Sequence, residues 1–234
     1  MRDRPAFDFR GIEVLTFDCY GTLIDWEAGL LAGLRRIVGG AQTDDSLLEA
    51  YARAEAGAER GRWRPYREVL AVSLVEVCRG LGITPTAGQA RAFGDSVEDW
   101  PAFPDSKAAL ARLREQFELA VITNCDDDLF AASGRRLGQP FSWVITAEQA
   151  RSYKPSLHNF ELALARAGRP RSRLLHVAQS LYHDHVPAKQ LGLATAWIDR
   201  RRGRPGFGAT PPAGAKPDVV APDMASFAAM ALDG

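Results

Sequence analysis

Near its amino end the chain reads Glu13-Val14-Leu15-Thr16-Phe17-Asp18-Cys19-Tyr20-Gly21-Thr22-Leu23. Residues 13–18 form a short, mostly apolar run that closes on a carboxylate, and Gly21 breaks the pattern just beyond it. A parallel strand covered by helices on both faces has this composition. Four further runs read the same way, at residues 119–123, 143–146, 174–178 and 194–198, with a weaker one at 218–220. Helical stretches separate them, at 107–115, 129–137 and 157–167. In the last, Leu157, Phe160 and Leu164 share one face after the start signal Pro155-Ser156. Strands alternating with helices predict an α/β protein with a Rossmann-like, doubly wound parallel sheet.

Residues 25–100 depart from the alternation. They read as four helices, at 27–38, 45–58, 66–81 and 89–99, the last two separated by the breakers Gly82, Pro85 and Gly88. The expectation is a helical cap, residues 25–100, inserted directly after the first strand, with residues 1–24 and 101–234 forming the core. Pro101 and Pro104 suit a hinge at the return. The Arg-, Gly- and Pro-rich stretch 200–216 reads as a surface loop.

Composition narrows the function classes. Of 234 residues, 46% are hydrophobic and 25% charged, the balance of a soluble globular protein rather than a disordered or collagen-like chain. Lys plus Arg equals Asp plus Glu at 29 each, so bulk electrostatics gives no reason to expect nucleic-acid binding. Three scattered cysteines are too few for a disulfide framework or a zinc site and suggest reduced thiols in a cytoplasm. The first residues are charged, without an apolar signal core, and no apolar run approaches the roughly 20 residues that span a bilayer. A cytoplasmic protein without a membrane partner is expected.

In open parallel sheets, ligands bind beyond the carboxyl ends of the strands. Those ends offer Asp18 to Thr22 on the first strand, then Thr123, Asn124 and Cys125 on the second. Lys154 lies after the third, and Gln179, Ser180 and Asp184 after the fourth. Residues distant in sequence therefore converge by topology.

The set resembles the haloacid dehalogenase superfamily over nearly the whole chain. Four motifs occur in order: Asp18-Cys19-Tyr20-Gly21-Thr22-Leu23, Thr123-Asn124, Lys154-Pro155, and Val177-Ala178-Gln179-Ser180 running to Asp184. The resemblance implies that Asp18 is a nucleophile held ionised near Lys154. It implies that Thr22 and Thr123 hydrogen-bond the nucleophile or the substrate. Ser180 would position Lys154, the substrate carboxylate or a water, and Asp184 would orient the water. Asn124 would help to receive a halide.

Two departures select a branch. Phosphatases of the superfamily carry a second Asp two positions after the nucleophile, which protonates the leaving oxygen; here that residue is Tyr20. Their fourth motif usually holds Gly-Asp, whose carboxylate helps bind magnesium; here it is Ala178-Gln179. A halide departs as a stable anion and needs no acid, whereas an alkoxide does. Both changes point to chemistry without metal or cofactor, and the string is similar to the L-2-haloacid dehalogenase branch. That likeness implies attack by Asp18 on the halogen-bearing carbon of a short 2-haloalkanoic acid, an aspartyl ester, and a 2-hydroxy acid product of inverted configuration. Homodimers are common in that branch.

The expected substrate-binding residues are Tyr20, Arg53, Asn124, Gln179 and Tyr182. Similar enzymes bind halide with a cap arginine. Arg53, Arg60, Arg62, Arg64 and Arg67 are the candidates, with Arg53 nearest the expected place. The stretch from Ala178 to Asp184 is one residue longer than in typical dehalogenases, and Tyr182 and His183 replace an aromatic there. Two rival readings stand beside this one: a magnesium-dependent phosphatase with an altered acid, and a binding protein of low turnover.

Other signals have plainer explanations. Asp126-Asp127-Asp128 follows a strand and begins a helix, where acidic side chains cap free N–H groups. His183 and His185 flank Asp184 too closely along the chain to face one metal. Cys19 and Cys125 read as buried fillers. Of Trp26, Trp63, Tyr66 and Trp100, most read as core, with one or two lining an apolar pocket.

Overall fold

The computed structural model describes residues 7–60, 62–204, 206 and 208–233. Six strands form one parallel sheet: β1 (Val14–Phe17), β2 (Glu118–Thr123), β3 (Trp143–Thr146), β4 (Leu174–Ala178), β5 (Ala194–Ile198) and β6 (Val219–Ala221). Their spatial order is β3-β2-β1-β4-β5-β6, so the winding reverses at β1. All six expected strands are present, with the weak sixth displaced by one residue.

Alternation along β1 divides the core in two. Leu15 and Phe17 face one side with Val121, Leu175 and Val177. Val14 faces the other with Ala120, Ile122, Leu174 and Phe160. Registration is tight across the reversal: Phe17 lies opposite Val121 on β2 and Val177 on β4. The residues just after β1, β2 and β4 therefore emerge side by side at the carboxyl edge.

Between β1 and β2 run four helices, α1 (Trp26–Val38), α2 (Asp44–Ala58), α3 (Tyr66–Gly80) and α4 (Ala87–Asp95). The expected fourth helix, 89–99, is instead α4 followed by a 3₁₀ turn at Ser96–Asp99. A capping box at Thr86 and Gln89 starts α4 earlier than the apolar pattern suggested. Gly29 on α1 is a contact point, because a Cβ there would stand 2.3 Å from the buried Trp100 ring.

The remaining helices are α5 (Ser106–Leu113), α6 (Asp127–Arg136), α7 (Ala147–Ala150), α8 (Leu157–Ala167), α9 (Val186–Gln190) and α10 (Met224–Asp233). The bounds 157–167 agree at both ends. No sequence expectation covered α10, although Met224, Phe227, Ala228 and Ala231 bury one face at helical spacing. Within the described residues no helix is long and apolar enough to cross a membrane.

Candidate active site

Asp18 is the first residue beyond β1. Gly21, at φ 93°, turns the chain back so that the Thr22 hydroxyl donates to Asp18 Oδ2 at 2.6 Å. Only glycine enters that backbone region freely. Thr22 Oγ1 in turn accepts the Gln179 N–H at 2.9 Å, which ties the loop after β4 to the loop after β1.

Lys154, 1% exposed, arrives from the loop between α7 and α8. Asn124 holds it there: Asn124 Oδ1 accepts the Lys154 N–H at 2.7 Å, and Asn124 Nδ2 donates to the Lys154 carbonyl at 3.0 Å. The ammonium donates to Asp18 Oδ1 at 2.8 Å, Asp184 Oδ1 at 2.7 Å and the Ile122 carbonyl at 2.9 Å. An ammonium has three hydrogens, and all three are committed.

Asp184 has a second partner, His176 on β4, whose Nε2 lies 3.0 Å from Asp184 Oδ1. His176 Nδ1 lies 2.9 Å from the Thr16 hydroxyl. If Nε2 donates, Nδ1 accepts from Thr16, which gives the buried imidazole both bonds as a neutral tautomer. Asp184 Oδ2 is buried and has no partner.

These contacts set the electrostatics. Burial raises the Asp18 carboxyl above the ordinary 3.8; attraction to Lys154 opposes the rise and repulsion from Asp184 adds to it. Burial also works against charge on Asp184, but Lys154 and the His176 hydrogen bond outweigh it, and Asp184 titrates below its usual range. Burial likewise opposes the Lys154 charge and loses to the two carboxylates, so that ammonium titrates above 10.5. Two carboxyls sharing one ammonium are thus driven apart in acidity.

The cluster opens on a cavity of about 40 Å³. One water-sized occupant needs about 10–15 Å³ by the same measure, so the space suits a ligand of very few heavy atoms. Of the expected residues, Asp18, Tyr20, Asn124, Lys154, Ser180 and Asp184 line it. Tyr20 stands edge-on to Trp100, its hydroxyl 3.0 Å from the Ser133 hydroxyl. Ser180 does not reach Lys154; its hydroxyl accepts the His183 N–H at 2.9 Å and caps the turn that follows.

Four expectations are corrected. Arg53 is exposed on the outer side of α2 and lines a separate groove with Glu76 and Leu81. Its position follows from the helix: Leu47, Leu48, Tyr51, Ala54 and Ala58 form the buried stripe, and residue 53 falls outside it. The Gln179 side chain faces another pocket, beside Gly21 and Arg200, and only its backbone serves the site. Tyr182 is absent from the cavity wall, and His183 stands there instead. Leu181–His185 form a π-helical turn, which widens the helix between Ser180 and Val186. Thr123 is fully buried, and its hydroxyl has neither Asp18 nor another group as partner.

Sequence reasoning missed two carboxyls, Glu55 on α2 and Glu59 at its end, which line the same cavity with Trp26 and Tyr66. Glu55 accepts the Tyr51 hydroxyl at 2.8 Å and the Tyr66 hydroxyl at 3.0 Å. Burial pushes Glu55 up to about 7 despite those bonds, and burial with repulsion from Glu55 raises Glu59 well above 4.5. The available signal was positional. Glu55 lies four residues after Tyr51 on an apolar stripe, and Glu59 four residues further. His176 was missed because a histidine inside an apolar strand reads as core.

Of the acidic triplet, Asp126 caps a helix, but across the fold rather than at the start of α6. Both Asp126 oxygens accept the N–H groups of Tyr66 and Arg67 at the start of α3, at 2.7 and 3.1 Å. Arg67 bridges Asp95 and Asp128 and is unavailable to the cavity. His185 turns away, with Nε2 3.0 Å from the Ala178 carbonyl.

A parallel sheet of Rossmann order, with a carboxylate at its reversal point paired to a buried lysine, defines an open α/β protein with an acidic residue at the centre of its site. The sequence profile of the haloacid dehalogenase-like hydrolases matches residues 12–192, and the chain belongs to that family. It is 28% identical over 219 residues to haloacetate dehalogenase H-2 of Moraxella sp. (strain B), covering 91% of this chain and 95% of that one. It is 26% identical over 195 residues to (S)-2-haloacid dehalogenase H-109 of Pseudomonas putida, covering 81% and 87%. The fold matches L-2-haloacid dehalogenase from Xanthobacter autotrophicus with chloropropionic acid covalently bound, at a TM-score of 0.77 and 20% identity over 93% of this chain and 97% of that one.

Proposed function

We propose that this chain is a carbon–halogen hydrolase that converts a short 2-haloalkanoic acid, or a close acyl relative, into the 2-hydroxy product through an ester on Asp18. The observation that carries the reading is the Asp18–Lys154–Asp184 cluster at the mouth of a very small cavity. Relatives similar along most of their length act on haloacetate and 2-haloacids, as their names state.

In the first step an Asp18 oxygen forms a bond to C2 while the carbon–halogen bond breaks, and its electron pair leaves with the halide. In the second, a water directed by Asp184 Oδ2, the unpartnered oxygen, attacks the Asp18 carbonyl carbon and gives up a proton to Asp184. The ester's C–O bond breaks toward the product oxygen, which takes that proton. Lys154 steadies Asp18 before attack and the oxyanion afterwards. One water is consumed, and a halide and one proton are released. We further propose that α1 to α4 act as the cap over this site, that the enzyme assembles as a homodimer, and that it works in the cytoplasm, where its three buried free cysteines stay reduced.

A magnesium phosphatase fits the donor set less well. Tyr20 stands where the leaving-group acid would, Gln179 replaces a carboxylate and faces elsewhere, and Lys154 already bridges Asp18 and Asp184. The test is halide release from L-2-chloropropionate and chloroacetate with EDTA present. We expect release to survive chelation and to fall by about a thousandfold or more in Asp18→Asn. Single turnover in heavy-oxygen water should leave label in Asp18. Phosphate ester turnover that requires magnesium, without halide release, would overturn the reading.

A further inference from the structure

The cavity wall carries carboxyl groups where a bound haloacid anion would need a cation. Its titratable members are Asp18, Asp184, Lys154, Glu55, Glu59 and His183, with the phenols Tyr20 and Tyr66, which burial keeps neutral. Lys154 is the one cation among the described residues of this wall, and its three hydrogens already go to Asp18, Asp184 and Ile122. With Asp18 and Asp184 ionised against Lys154, the wall bears one net negative charge even when both cap carboxyls are protonated. It bears three when they are not. His183 adds nothing, since burial holds it neutral down to about 4. No arginine is among the described residues of this wall: Arg53 lines an outer groove, Arg60 bonds the Ala56 carbonyl, and Arg67 is paired with aspartates. Asp184 Oδ2 adds another acceptor without a donor.

We propose that this site selects uncharged, N–H-bearing 2-halo acyl compounds, 2-haloamides foremost, over the corresponding carboxylate anions, with Glu55 and Glu59 as the specificity-determining residues. The inference rests on the carbon–halogen hydrolase reading above and names its substrate class. An amide keeps the carbonyl that activates C2 for displacement. Its NH₂ offers two donors to a wall rich in acceptors, and it brings no second negative charge toward Asp18. Glu55 is oriented by Tyr51 and Tyr66, so this recognition does not wait on the ordering of a loop. The chemistry is unchanged: halide leaves, and the 2-hydroxyamide replaces the 2-hydroxy acid.

The experiment compares chloroacetamide with chloroacetate by halide release at pH 8, with Asp18→Asn as the blank for alkylation elsewhere on the protein. A preference in kcat/KM of about tenfold or more for the amide is expected, since one like charge at close range in a low-dielectric site is worth at least that. In Glu59→Gln, and in Glu55→Gln, the ratio should narrow mainly through the KM of chloroacetate, with the melting temperature reporting whether each variant is folded. Equal or better turnover of chloroacetate by the wild type overturns the inference and leaves the hydrolase reading intact. If neither compound loses halide, the hydrolase reading fails. Binding of acetamide against acetate, followed by tryptophan fluorescence, then still decides the charge preference, and tighter acetate binding overturns it.

Discussion

Replacing Lys154 by Met removes the cation between two buried carboxylates while roughly keeping side-chain length. In the wild type the ammonium lies 2.8 Å from Asp18 and 2.7 Å from Asp184, and Lys154 and Asp184 are each 1% exposed. Removing one partner of a buried pair costs about 3–5 kcal/mol, because the charges left behind are uncompensated. For a chain of this size that lowers Tm by roughly 10 °C. The pH dependence gives a sharper signature. In the wild type the lowered pKa of Asp184 contributes stability above the unfolded carboxyl pKa, and that stability is lost as pH falls through the lower folded value. Without Lys154, both carboxyls titrate above their unfolded values. The native state then binds more protons than the unfolded state, so stability falls as pH rises from about 4 through the new folded values. Groups common to both proteins cancel in the comparison, so the stability deficit of Lys154→Met relative to the wild type should be larger at pH 8 than at pH 4.5 in melting curves. Ester formation should slow by about a thousandfold at pH 8. A variant within about 1 kcal/mol of wild type at both pH values would refute the ion-triad account.

Asp184→Asn should separate the two half-reactions: alkylation of Asp18 persists, and intact-mass measurement finds the ester accumulating as its hydrolysis slows by about a hundredfold or more. No ester in the quenched variant would remove Asp184 from the water step. His176→Leu strands the Thr16 hydroxyl and deprives Asp184 of a donor, so we expect a loss of about 1–3 kcal/mol in denaturant titration, with ester hydrolysis slowed more than ester formation. Equal slowing of both steps would mean that His176 only supports the fold. Gly29→Ala drives a Cβ to 2.3 Å from the Trp100 ring and should cost about 1–3 kcal/mol by chemical denaturation. An unchanged midpoint would show that the Trp100 ring is free to shift.

Strand ends were the most legible part of the chain. Each strand is a short, mostly apolar run, the first two closing on Asp18 and Thr123, and parallel topology then brings Asp18, Asn124 and Ser180 together. Lys154 was legible through its motif, although only the structure shows Asn124 fixing its backbone on both sides. Helix faces were harder to judge. An arginine on α2 looked right by type but lies off the buried stripe, while Glu55 lies on it and looked wrong by type. Reading polarity before periodicity reverses the two. Thr123 shows the same limit at a strand end: sequence puts the residue there, but not the direction of its hydroxyl. The helix α10 was legible too: Asp223, which accepts the Ser226 N–H at 2.7 Å, is a start signal directly before its apolar, Ala-rich run.

The π-helical turn after β4 separates two duties within a few residues. Its wide backbone presents an imidazole at position 183 to the binding space and leaves the neighbouring phenol off that wall, while the carboxylate at 184 stays docked on its lysine and histidine. Substitution at position 183 can thus reshape the binding space while the carboxylate at 184 keeps its partners.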